Sequence, residues 1–178
     1  MPTANSIADL GPIMQQAYLP EDFDAALKYW TETIGVGPFY MLENIRLGDM
    51  TCLGEPTDAV FSVAIAYWGD MQVELVRPEN DAPAHYTGKY KVHDRLHHVC
   101  QLVDDIEDAR RAVEAAGATI VVEGKVGDDG YVIYADPGFG AGGIVEFVQL
   151  GTGGPELFAM IKDASVNWDG SDPIRKLG

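Results

Sequence analysis

The chain is poor in three things. It has 2 cysteines in 178 residues, 12 basic side chains against 28 acidic ones, and no long apolar run. Two cysteines, Cys52 and Cys100, cannot build the disulfide framework of a small secreted domain. Cys100 has the setting of a small buried hydrophobe, and no histidine can be named as its base, so a nucleophilic thiol is not expected. No stretch of 18 apolar residues occurs, and the first residues lack a basic segment leading into an apolar run. Membrane insertion and export are therefore not supported, and the cytoplasm is the expected compartment. A net charge of −16, without a basic stripe and interleaved aromatics, repels phosphate backbones, so nucleic acid is not an expected partner. Gly35-Val36-Gly37-Pro38 follows a helix rather than a strand, the wrong order for a phosphate cradle.

What is present is a strand that runs straight into a helix. Leu96 to Val103 alternates apolar and polar residues, which suits a sheet with one buried face. Asp104 or Asp105 then caps a helix from Ile106 to Ala116, and Gly117 ends it. His98, Cys100 and Leu102 share one face of the strand, because side chains two apart point the same way. An earlier stretch repeats this grammar: Ile13 to Leu19 reads as a strand, and Asp22 opens a helix carrying Ala25, Ala26, Leu27 and Trp30. Gln15 lies seven residues before Asp22, and His98 lies seven before Asp105. The spacing points to an internal duplication.

Each unit continues into strands. In the first these are Phe39 to Ile45, Val60 to Tyr67 and Met71 to Val76. In the second they are Ala118 to Val122, Tyr131 to Tyr134 and Gly143 to Leu150. The organisation expected is a first module over residues 11–78, a polar linker over 79–95, a second module over 96–150 and an extension over 151–178. His85 and His93 fall in the linker and are expected to be exposed. His97 faces away from His98 and is expected to pack outside. The extension contains Trp168, whose size calls for packing against the body, a neighbouring subunit or the mouth of a site.

Two glutamates are out of keeping with their surroundings. Glu146 sits in Ile144-Val145-Glu146-Phe147-Val148, and Glu74 in Val73-Glu74-Leu75-Val76. Burying a charged carboxylate without a partner costs several kcal/mol or shifts its pKa, so each demands an arginine, an edge position or a metal. Each half thus offers a polar residue in its first strand, Gln15 or His98, and a glutamate in its last, Glu74 or Glu146. If the halves pair about a pseudo-twofold axis, all four converge on a central cavity. Two carboxylates, an imidazole and an amide oxygen then suit one divalent cation.

These pieces, together with Gly35-Val36-Gly37-Pro38-Phe39, Arg77-Pro78 and His97-His98-Val99 followed by Asp104-Asp105, resemble the vicinal-oxygen-chelate superfamily of glyoxalases, bleomycin-resistance proteins and extradiol dioxygenases. The nearest likeness is to its methylmalonyl-CoA epimerase and glyoxalase I branch, and it runs from about Ile13 to Gln149. The resemblance implies an α+β fold in which two βαβββ modules form a curled mixed sheet around a central cavity. It implies Gln15, Glu74, His98 and Glu146 as ligands of zinc, nickel, cobalt, manganese or iron. It further implies a lyase or an isomerase/epimerase acting beside a carbonyl through a metal-stabilised enolate. Glu146 is then the candidate proton-transferring base, and Glu74 holds charge and geometry. Epimerases of this kind resemble one another in a second glutamate base, whose position here is taken by Ser62, and the alternative reading is a metal-free protein that binds or sequesters a small molecule. An anionic thiol conjugate would need Arg77, Lys89, Lys91 or Arg95 nearby. Tyr18, Phe39, Tyr67 and Trp68 could instead line a pocket for a neutral or aromatic substrate. A homodimer is expected.

Overall fold

The structure, a computed structural model, describes residues 6–177. Residues 1–5 lie outside that range, and Ile7–Leu10 forms a short 3-10 turn. Strand β1 (Ile13–Tyr18) leads into helix α1 (Phe23–Lys28), which a wider π turn extends to Ile34. Strands β2 (Phe39–Ile45), β3 (Gly48–Cys52), β4 (Glu55–Pro56), β5 (Phe61–Trp68) and β6 (Met71–Pro78) follow. The second half supplies β7 (Leu96–Leu102), α2 (Ile106–Ala115), β8 (Thr119–Val126), β9 (Gly130–Asp136) and β10 (Ile144–Gln149). Helix α3 (Gly154–Ser165) and strand β11 (Ile174–Lys176) complete the described chain.

Helices α1 and α2 start as their sequences require. Asp22 accepts the Ala25 N–H at 2.9 Å, and Asp105 accepts the Glu107 N–H at 2.9 Å. Each satisfies one of the backbone donors that a helix start leaves without a partner. Helix α1 buries Phe23 and Leu27, and Ala26 and Trp30 pack beside them at helical spacing. Helix α2 does the same with Ile106, Ala109, Ala112 and Val113.

The strands form one mixed sheet in the order β11-β2-β5-β6-β1-β7-β10-β9-β8-β3-β4. The connection between β2 and β3 proves that this sheet is curled. Arg46 and Leu47 alone join the two strands, a reach of roughly 11 Å. A flat sheet in this order would hold β2 and β3 eight strand spacings apart, about 38 Å. The excursion through β3 and β4 pairs with β8, so a piece of the first module closes over the second.

The two faces have different jobs. On β5 the even positions Ser62, Ala64 and Ala66 are small, and the two alanines let α1 lie close against the sheet. The odd positions Phe61, Val63, Ile65 and Tyr67 point the other way, into the hollow of the curl. On β6, Val73 and Leu75 face α1 while Glu74 faces the hollow. On β10, Phe147 lies under α2 while Ile144, Glu146 and Val148 face the hollow.

The segment between the modules differs from the polar, exposed linker expected of it. Ala84, Tyr86 and Tyr90 join the central core, and His85 is 1% exposed. Polar composition misleads here, because three aromatic rings and an alanine spaced along the segment fold back over the hollow. The extension packs on the body: Trp168 sits against Gly37, where an added Cβ would lie 2.7 Å from its ring. Beyond it β11 pairs in parallel with β2. No helix among the described residues is long and apolar enough to cross a membrane.

Candidate metal centre

The duplication seen in the spacing is a symmetry of strand pairing. Strands β1 and β7 run antiparallel at the centre, with Ala17 opposite His98 and Gln15 opposite Cys100. Outside them, β6 pairs in parallel with β1 and β10 in parallel with β7. Glu74 is level with Ala17, two residues beyond Gln15, and Glu146 is level with Cys100, two beyond His98. Glu74 and Glu146 are therefore equivalent positions about one axis, and so are Gln15 and His98.

The structure brings Glu74, His98 and Glu146 together. One ligand atom from each lies within 4.8 Å of the others, and all three residues are buried. His98 Nε2 is 3.4 Å from Glu74 Oε2 and 3.3 Å from Glu146 Oε2, without the alignment of a hydrogen bond to either. Glu146 Oε2 and Gln15 Oε1 are also buried without a hydrogen-bond partner among the described residues. Leaving such atoms unpaired costs about 1–3 kcal/mol each, more where a charge is involved. A divalent ion fits this donor set: two carboxylates match its charge, and imidazole nitrogen and carboxylate oxygen suit borderline metals. The cluster is thus a buried His/Glu/Glu group positioned to chelate one divalent metal ion.

Gln15 lines the same cavity as Glu74 and Glu146. Its Nε2 donates to Gln72 Oε1 at 2.5 Å, and Gln72 Nε2 donates in turn to the Tyr67 hydroxyl at 3.0 Å. With the amide nitrogen engaged, its oxygen remains the unpaired end.

Protonation follows from the same contacts. Burial lowers the pKa of His98, but Glu146 and Glu74 on its flank outweigh this and raise it to about 9. Burial raises the pKa of Glu74; the adjacent His98 ring opposes the shift, and the charge of Glu146 adds to it. Burial pushes up the Cys100 thiol and the Tyr134 hydroxyl beside the cluster, with the two glutamates adding to both shifts, so neither is a ready nucleophile or base.

His97 is not on the outside as its strand alternation predicts. It is 1% exposed, because the segment carrying Tyr90 folds over that face of β7. His97 Nε2 lies 3.1 Å from the Tyr90 carbonyl, which can only accept, so Nε2 carries the proton. Burial and then the neighbouring His98 charge lower the pKa of His97 to about 3, so its Nδ1 is bare. That Nδ1 lies 2.9 Å from His98 Nδ1, which must donate. His98 is therefore held with its proton on Nδ1, leaving Nε2 to face the two carboxylates. His97→Phe keeps a ring of similar size but removes the acceptor. It is expected to weaken zinc binding by about 10- to 100-fold in a chelator competition, with the far-ultraviolet circular dichroism unchanged. Unaltered affinity would show that His98 needs no such support.

Above the cluster lies a cavity of about 400 Å³. Phe61, Val63 and Ile65 of β5 form one wall, and Val132 and Tyr134 of β9 another. Leu157 and Phe158 of α3 also line it, so the extension, to which the sequence assigns no function, contributes to the site. The position of α3 beside the cavity is not legible in the sequence. His85 stacks flat on Tyr134, with ring centres 3.7 Å apart, and so supports the cavity from behind.

Several expectations for the lining are corrected. Phe39 belongs to the core under α1, Tyr67 holds Gln72, and Tyr18 and the exposed Trp68 line a separate outer cleft. Arg77, Lys89, Lys91 and Arg95 do not line the cavity; Arg77 pairs with Glu79 at 2.8 Å. Ser62 is on the face opposite the cavity, donating to Glu79 Oε1 at 2.6 Å and accepting from the Asn44 N–H at 3.0 Å. Strand alternation decides this, since Phe61 and Val63 take the inward positions on either side.

Curled paired modules around a chelating cluster define a class of protein, and comparison with known families names it. The chain belongs to the Glyoxalase/Bleomycin resistance protein/Dioxygenase superfamily, whose family model matches residues 14–134. No curated protein matches the chain. Among solved structures, it is similar to methylmalonyl-CoA epimerase from Mycobacterium tuberculosis, at 15% identity and a TM-score of 0.56, covering 88% of this chain and 95% of that one. It is similar to a variant of Streptomyces coelicolor methylmalonyl-CoA epimerase in complex with 2-nitronate-propionyl-CoA, at 14% identity and 0.55, covering 80% and 96%. It is also similar to the hypothetical protein BH1468 from Bacillus halodurans C-125, at 14% and 0.53, covering 79% and 94%. At such identities these likenesses establish the fold alone.

Proposed function

We propose that the protein is a metal-dependent lyase or isomerase that removes a proton beside the carbonyl of a small-molecule substrate. The observation that carries this reading is the Glu74–His98–Glu146 cluster, buried at the floor of a cavity with its ligand atoms within 4.8 Å. Gln15 is the candidate fourth ligand, through its unpaired amide oxygen. A divalent ion held by these residues would polarise a substrate oxygen and acidify the adjacent C–H bond.

Glu146 is assigned the proton. Its strand β10 continues through Val148 and Leu150 into the Gly151–Gly154 turn, and all of these residues line the cavity with it. An unpaired Oε2 leaves it a lone pair to use. Glu74 holds negative charge and geometry on the opposite side of the axis. The apolar wall of Phe61, Val63 and Ile65 excludes water, which strengthens every charge interaction at the floor.

Metal analysis of protein purified without chelator tests the reading. About one divalent ion per chain is expected, and Glu74→Ala with Glu146→Ala should lose it. Wild-type protein that stays metal-free after incubation with zinc, nickel, cobalt and manganese would overturn it.

A further inference from the structure

The cavity floor has a stated chemistry, but its walls and mouth carry information of their own. Its charged lining residues, among those described, are Glu74, Glu146, Asp128 and Asp129, and no lysine or arginine is with them. The first two belong to the floor. Asp128 and Asp129 lie in the turn between β8 and β9, at the mouth. Asp129 accepts from the Thr152 N–H at 2.8 Å and from its hydroxyl at 2.7 Å. Those bonds lower its pKa, so it stays ionised. They also place a carboxylate on the residues that precede α3, where a helix start would otherwise attract an anion.

The lysines nearest the mouth are already engaged. Lys125 beside the mouth is paired with Asp49 at 2.6 Å, and Lys162 of α3 with Asp70 at 2.6 Å. Arg46, between the lining residues Ile45 and Leu47, is exposed and does not line the cavity. The remainder of the lining is largely hydrocarbon, from Leu42, Val63, Ile65, Val148, Leu157 and their neighbours. An anionic handle leaving the cavity would pass two carboxylates with no lysine or arginine among the described lining residues, on a chain of net charge −16. Coulomb repulsion near a protein surface is enough to decide between a neutral and an anionic ligand of the same shape.

We infer that the substrate is a neutral, largely apolar carbonyl compound lodged whole in the cavity, rather than the acyl part of a phosphate- or carboxylate-bearing thiol conjugate. This rests on the metal-enzyme reading for its carbonyl, and on the walls and mouth for the rest.

The test uses zinc-loaded protein and a matched pair of probes, 4-phenylbutyrohydroxamic acid and its ring para-phosphonate, with 4-phenylbutyryl-coenzyme A as a third. Calorimetric titration at low salt should find the neutral probe bound at least about tenfold tighter than the phosphonate, with the gap narrowing toward about 0.5 M salt. Asp128→Lys should also narrow it. Val63→Asp, deep in the wall, should abolish binding of the neutral probe while leaving zinc content unchanged. Equal or tighter binding of the phosphonate or the coenzyme A thioester would overturn the inference, as would failure of the neutral probe to bind loaded protein. The underlying reading fails separately. If the neutral probe bound equally well to metal-free Glu74→Ala/Glu146→Ala protein, the apolar site would stand and its metal chemistry would not.

Discussion

Glu146→Gln is expected to lower turnover by about 100-fold or more in protein resupplied with metal. The substitution preserves the size of the side chain and an oxygen donor. It removes the negative charge and nearly all the basicity, so it separates proton transfer from packing. A strand residue that merely faced solvent would tolerate the change within about 0.5 kcal/mol. Glu146 is 6% exposed and carries an oxygen with no hydrogen-bond partner among the described residues, so neither outcome is trivial. Glu74→Gln is the control: it should weaken metal binding to a similar degree, yet retain more activity at saturating metal. Solvent-deuterium incorporation beside the carbonyl, screened across neutral 2-substituted ketones, supplies the readout. Turnover of Glu146→Gln at the wild-type rate, with equal metal occupancy, would remove Glu146 as the base. Retention of wild-type metal affinity as well would remove it from the metal centre.

His98→Ala is expected to cut zinc affinity by about 100-fold or more, beyond what losing a supporting residue does. The pH dependence of wild-type binding identifies the reason. In the metal-free protein His98 holds a proton up to about pH 9, because the two glutamates overcome its burial. A metal must displace that proton to reach Nε2. Affinity should therefore rise with pH, by about tenfold per unit while His98 remains protonated, and level off near its pKa. The slope should flatten in His98→Ala. Stability of the metal-free protein should run the other way. The folded pKa of His98 lies above the unfolded value of about 6.5, so its contribution is full below that pH and is lost as the pH rises through about 9. Chelator competition between about pH 6 and 8 and denaturant melts across the higher range measure the two effects. A zinc affinity independent of pH would mean that His98 is not a ligand.

Much of this site is legible in the chain because the chemistry conflicts with its local surroundings. A glutamate within Val73-Glu74-Leu75 or Val145-Glu146-Phe147 makes no sense as core and little as surface, and alternation tells which residues share its face. The matched distances from Gln15 to Asp22 and from His98 to Asp105 carry the duplication, and both aspartates do cap helices. Strand β2 is found at Phe39–Ile45 as its sequence reads, since turn residues bound it on one side. Strands β3, β4 and β11 are not legible: all are short, β3 and β11 pair with strands distant in sequence, and the two-residue β4 pairs only with β3.

The errors share one cause. His97, His85 and the aromatic residues assigned to the cavity are misplaced by local composition or alternation, which cannot say what covers a face. Tyr90 closes over His97, Tyr134 stacks on His85, and α1 covers Phe39; each is a contact between separate elements of the fold. By itself the sequence determined the two repeated units, the conflict of Glu74 and Glu146 with their apolar neighbours and the acidity of the whole. Those are set by side-chain period, by capping chemistry and by the cost of burying charge, all of which act within a few residues. Only the tertiary structure decided that the sheet curls until β2 meets β3, and that α3 walls the cavity with Leu157 and Phe158. It also decided that the mouth is lined by Asp128 and Asp129 rather than by a cation. Those depend on which strands pair and where a distant helix docks, and pairing energies are gained between residues whose separation along the chain leaves no periodic mark.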